Sequence, residues 1–194
     1  MATKKAPRLI LLDSCSYFRL GISFRPILYR LTGDPEYVLK VLPELDDEFQ
    51  RNSRLKTKFW WASQNEHRAE RAANRCELIG HKANAAKLTY SYIRQYAVDN
   101  DSMVSPIDVK VLCVARVLDG IVVTDDVAMQ SIAEAFSIRY FSTLDLLKLF
   151  HERNKASPSE IDSLLAYWEY EKDFPTSFAA IKAWRNTLTK AAAK

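Results

Sequence analysis

Residues 120–129 read GIVVTDDVAM. Ile121, Val122 and Val123 form a short apolar run, the pattern of a strand buried on both faces. Thr124, Asp125 and Asp126 then stop it abruptly, although adjacent carboxylates repel one another. A turn with an exposed helix cap accommodates such a pair, and a bound cation rewards it. The choice depends on which other acids the fold brings to the same end of the sheet.

Outward from this stretch, strands and helices alternate. RLILL (Arg8–Leu12) is a second continuous apolar run, ending at Asp13. Ser14 is placed to cap a helix reaching to about Leu31, and Gly33-Asp34-Pro35 makes a turn. Tyr37–Leu42 reads as a strand, after which Pro43 opens a helix. Ser105-Pro106 precedes a helix over Ile107–Leu118, Ile121–Thr124 is the third strand and Val127–Phe136 the next helix. Ile138–Phe141 is a short fourth strand, and Leu144–Phe150 repeats apolar residues at helical spacing. This alternation predicts an α/β domain with a mostly parallel central sheet between helical layers, an αβα arrangement. Ser157-Pro158-Ser159-Glu160 is a capping box that announces a further helix, with a last one over Ser177–Leu188. The domain is expected over 8–156, with a C-terminal helical extension over 157–194.

The chain has 194 residues, 48% hydrophobic and 27% charged, which places it among globular proteins. No apolar run approaches a bilayer span. Cys15, Cys76 and Cys113 show no pairing pattern and suit reducing, cytoplasmic surroundings. No CxxC or HxxxH accompanies Cys76 and His81, which argues against zinc. His67, His81 and His151 have no partner at informative spacing and read as structural or surface residues. The net charge of +4 is unevenly spread. Residues 51–100 hold ten Lys/Arg against four Asp/Glu, and the remainder is slightly acidic.

Ligands of open parallel sheets bind beyond the carboxyl ends of the strands. Asp13 and Asp125/Asp126 fall at that end of the first and third strands. Asp108 lies in the first turn of its helix, where the positive helix end favours a carboxylate. Glu48 lies about a turn and a half into the helix after the second strand. Four acids in one place raise one another's pKa, unless hard divalent cations such as Mg²⁺ or Mn²⁺ sit among their oxygens. Each acid also has a plainer role. Asp13 suits a turn, Asp125 a cap for the helix beginning near Val127, Asp108 a helix-start charge, and Glu48 a solvated acidic face.

LLDSC (Leu11–Cys15), SPIDVKVLCVAR (Ser105–Arg116) and VVTDD (Val122–Asp126) together resemble the PIN domain family over roughly Leu9–Phe150. The resemblance implies a PIN-like fold with the basic segment, about 51–100, as a helical insertion. It assigns Asp13, Glu48, Asp108 and Asp126 as the catalytic, metal-holding acids. The family's Thr-x-Asp pattern favours Asp126 over Asp125, which is left as an accessory ligand. Glu48 competes with Glu44, Asp46 and Asp47 and is preferred because apolar Phe49 follows it. Ser14 and Thr124 match positions where the family often carries a hydroxyl, beside the nucleic-acid strand. The implied activity is a Mg²⁺- or Mn²⁺-dependent nuclease, chiefly on RNA, as in toxins paired with a small antitoxin protein. RNA, an antitoxin and a second copy of the chain are the partners this reading admits, with no membrane.

The basic segment reads in two ways. Lys56, Lys58, Arg68, Arg71 and Arg75 line a nucleic-acid groove, with Trp60, Trp61 or Tyr90 stacking on bases. Alternatively it is a solvated helical hairpin whose aromatics pack onto the core. A non-catalytic PIN-like module that binds nucleic acid or protein is the rival to the nuclease. Receiver and dehalogenase-type phosphatase domains fit poorly, because here the acid pair comes late and Asp13 precedes Ser-Cys.

Overall fold

The computed structural model describes residues 6–192. The four expected strands form one sheet: β1 (Arg8–Leu12), β2 (Tyr37–Lys40), β3 (Ile121–Val123) and β4 (Arg139–Phe141). Its order is β2-β1-β3-β4, parallel throughout. The continuous apolar runs RLILL and IVV are thus the two central strands, covered on both faces. Register pairs Ile10 with Ile121 and Leu12 with Val123, so Asp13 and Thr124 leave the sheet side by side.

Side chains alternate across the sheet. Ile10, Leu12, Ile121 and Val123 point into one buried cluster, Leu11 and Val122 into another. The first is covered by α1 (Ser14–Phe24), α2 (Glu44–Arg51) and α8 (Thr143–Glu152). The second is covered by α5 (Gly80–Asp99), α6 (Pro106–Leu118) and α7 (Val127–Ala135). The architecture is a three-layer αβα fold. The C-terminal helices α9 (Pro158–Glu171) and α10 (Phe178–Ala192) complete the first layer, where Ile161, Leu164, Trp168 and Ile181 join the same cluster. No helix among the described residues is long and apolar enough to cross a membrane.

Helix α1 is shorter than its expected end at Leu31. Pro26 forces Arg25 out of helical geometry, to φ −63 and ψ 137, and a single 3-10 turn follows over Ile27–Tyr29. Its cap is Asp13 rather than Ser14.

The basic segment is helical, as expected, and divides between both layers. It comprises α3 (Ser53–Lys58), α4 (Asn65–Ala73) and α5. Phe59, Trp61 and Ala62 enter the first cluster, whereas Ile93 and Ala97 of α5 enter the second. The chain changes face beside Val41, whose N–H donates to Asn74 O (3.1 Å) and whose O accepts from Cys76 N (2.8 Å). Trp61 is accommodated by Gly21 of α1, where a Cβ would lie 2.4 Å from the indole.

Candidate active site

Asp13 is the first side chain beyond β1. It is 4% exposed, and its Oδ1 accepts from Ser16 N at 2.6 Å, closing the first turn of α1. Burial raises its carboxyl from 3.8 to about 6, and the negative charge of Asp108 adds to this. Hydrogen bonds from Thr124 and Ser16 oppose the rise. Asp13 is therefore a buried acid beside a second acid, an arrangement with a cost unless a positive charge joins it.

Asp108 is brought there by the Ser105-Pro106 start of α6. Its Oδ2 accepts from Ser105 N (2.9 Å) while Ser105 Oγ accepts from Asp108 N (3.1 Å), a reciprocal capping box. Glu48 arrives on α2. Among its acidic neighbours, Glu44 is paired with Lys110 and Asp46 with both Arg71 and Arg75, while Asp47 is exposed. The Cys15 thiol marks where the groups meet. Loss of surrounding water, then the charges of Asp13, Glu48 and Asp108, push it up to about 12 against Arg19. Cys15 itself is exposed at the surface. A cleft of about 590 Å³ has Glu48 in its wall, with Arg51, Asn52, Pro106 and Lys110 among others, while Asp13 and Asp108 do not line it. A mainly apolar groove of about 610 Å³ adjoins it across Glu44 and Lys110, with Leu42, Cys76, Tyr90 and Cys113 in its wall.

The cap expected at Asp125 falls on its neighbour. Asp126, not Asp125, caps α7, its Oδ1 accepting from Met129 N at 3.0 Å. Asp125 is buried, and its Oδ1 accepts from Thr143 N at the start of α8, at 3.3 Å. Thr124 is fully buried, and its hydroxyl accepts from Asp126 N at 3.1 Å. Ser14 is half-buried on the first turn of α1, whereas the Ser16 hydroxyl, two positions on, donates to Val123 O at 3.3 Å. Among the described residues, no three His, Cys, Asp or Glu side chains stand close enough together to hold a metal ion. Asp13, Asp108 and Glu48 share a neighbourhood rather than a closed cage. The donor chemistry still fits a hard cation, since every acid offers oxygen.

The expected nucleic-acid contacts separate. Arg71 is 1% exposed and belongs to the core, which corrects its assignment. Its Nε donates to Asp46 Oδ1 (2.6 Å), Nη2 to Ala62 O (2.9 Å) and Nη1 to the Tyr17 hydroxyl (3.3 Å). A buried carbonyl and a half-buried carboxylate needed a fork-shaped cation, and nothing local in the sequence signals this. Trp61 is likewise core, while Trp60 is 61% exposed beside α3. Lys56 and Arg68 are exposed, Arg75 is tied to Asp46, and Lys58 is tied to Asp173. Arg19, Ser16 and Asp173 escaped the sequence reading. Ser16 had a signal in its spacing from Asp13, but Asp173 had none, being far along the chain.

No protein-family model matches the chain, and no curated protein matches it. Among solved structures, the crystal structure of FitAcB from Neisseria gonorrhoeae is similar, at 14% identity and a TM-score of 0.47. The match covers 69% of this chain and 97% of that one. At that level the likeness carries no functional weight.

Proposed function

We propose that this chain is a divalent-metal-dependent nuclease acting on RNA. The observation that carries the reading is Asp13: a buried carboxylate at the end of the central strand, raised to about 6, with Asp108 and Glu48 beside it. Asp13 and Asp108 would hold Mg²⁺ or Mn²⁺, with Glu48 and Asp126 joining through water and Asp125 outside the site. Bound there, the ion would supply an activated water and relief of charge on the phosphate.

The chain's own groups supply the rest. Ser16 N and Thr124 fix the Asp13 carboxylate, keeping one orientation through the reaction. Glu48, at the cleft wall, accepts a proton from the attacking water or orients it. Lys56, Arg68 and Trp60 are exposed, a combination suited to a single strand. A toxin held by a small antitoxin belongs to the same reading. Induced expression should then arrest growth with wild type and not with Asp13→Asn.

The absence of a ready three-acid cage among the described residues favours one second reading, a nucleic-acid-binding module without catalysis. A labelled single-stranded RNA incubated with Mn²⁺ or Mg²⁺ separates the two. Wild type should cleave it and Asp13→Asn should not; binding without cleavage by wild type would leave the module.

A further inference from the structure

Between α9 and α10 the chain crosses the C-terminal side of the sheet. Lys172 closes α9 in a left-handed conformation, φ 55, and turns the chain sharply. Asp173 then meets two cations from distant parts of the sequence. Arg19 of α1 donates to its Oδ1 from Nε (3.2 Å) and Nη2 (2.8 Å), and Lys58 of α3 donates to its Oδ2. All three are partly buried, with side chains 21–26% exposed. Pro175 is buried, and the Thr176 hydroxyl donates to Asp125 O at 2.9 Å, so the segment is pinned to the strand end carrying the acids. Arg19 itself feels the charge of Asp13. Arg19 thus joins Asp173 to the neighbourhood of Asp13, and Thr176 ties the same segment to the end of β3.

We propose that Arg19 and Lys58 form a phosphate-binding pair at the rim of the acidic site, and that Asp173 fills it in the free protein as an internal stand-in for a phosphodiester. The proposal rests on the nuclease reading only for the identity of its ligand. Two cations on one carboxylate leave an excess positive charge facing the approach. A carboxylate and a phosphodiester each present one negative charge over two oxygens, and arginine takes both in the same way. Partly exposed ion pairs stabilise little, so a polyanion held also by Lys56 and Arg68 displaces Asp173 readily. The segment over 172–177 thus competes with substrate rather than sealing the site.

The test is fluorescence anisotropy of a short labelled single-stranded RNA, in chelator, across a salt series. Asp173→Asn should bind about fivefold tighter, with a salt slope steeper by about 1.4 units for two newly available cations. Glu171→Gln, an equal loss of charge at an exposed neighbour, should change neither. Adding Arg19→Gln and Lys58→Gln to Asp173→Asn should erase the gain. A gain that survives those additions, or one equalled by Glu171→Gln, overturns the proposal. Should Asp173→Asn melt early, Lys58→Gln in the otherwise native chain decides: lower affinity at an unchanged melting temperature is expected, and unchanged affinity refutes. Cleavage with Mn²⁺ is scored separately. Tighter binding without cleavage in any variant sinks the nuclease and keeps the pair; cleavage by wild type with no change in Asp173→Asn does the reverse.

Discussion

With its carboxyl raised from 3.8 to about 6, Asp13 keeps a proton in the folded chain at pH values where the unfolded chain has lost it. Its contribution to stability is fully present below about pH 4 and is lost as pH climbs through about 6. Above that, the buried charge costs about 3 kcal/mol relative to the protonated form. Asp13→Asn keeps an acceptor for Ser16 N, since asparagine caps helices well. Metal-free Asp13→Asn should therefore melt higher than wild type at pH 7, by an amount that shrinks towards pH 4. Adding Mn²⁺ should raise wild type and leave the variant unmoved. A lower melting temperature for Asp13→Asn in chelator at pH 7 would mean that the charge is already compensated. At Asp125 and Asp126 sequence shows that one aspartate caps a helix and the other does something else. Which is which was not legible, because the deciding donor, Thr143 N, belongs to a helix placed by tertiary packing. Asp126→Ala should cost about 1 kcal/mol as a lost cap, measured by urea unfolding in chelator.

At the scale of elements, the two Ser-Pro capping signals were readable, whereas the caps of α1 and α7 each fell one residue from the expected position. Ser105-Pro106 and Ser157-Pro158 each start a helix where the local pattern says, because the bonds involved span only three residues. The basic helices were readable as helices but not as to which charges face water. Arg68 and Arg71 lie one turn apart on α4, yet one is exposed and the other 1% exposed. Arg71→Gln should destabilise by about 3 kcal/mol, the cost of breaking a buried ion pair, at the lower end because Asp46 keeps Arg75. Arg68→Gln should change stability by less than about 0.5 kcal/mol. Urea unfolding of the two variants makes the comparison. RNA affinity should fall in Arg68→Gln, whereas any loss in Arg71→Gln should track its unfolding. Gly21 gives a third case: Gly21→Ala should improve helix propensity yet lower stability by about 1–3 kcal/mol through overpacking against Trp61, with Gly21→Ala and a smaller residue at Trp61 tested together.

For the whole molecule, the order of strands and helices was legible from the alternation of periods, but the allegiance of the C-terminal helices was not. Ile161, Leu164, Trp168 and Ile181 sit in the cluster that also holds Phe18 and Phe24. Nothing local in Ser157–Glu160 announces that destination. Truncation after Ala156 should consequently abolish the cooperative melt, and a native-like melt of residues 6–156 would make the helices a separate extension. The pairing of Ile10 with Ile121 has a temporal side as well. During synthesis RLILL emerges first, and its central neighbour follows only after about a hundred further residues of chain. Closing so long a span is entropically costly, and sheets built this way fold slowly. Until Val123 leaves the ribosome, the oily β1 has β2 alone for company. A newborn chain halted short of Gly120 should therefore bind a hydrophobic dye and recruit holdases, and lose both once translation passes β3.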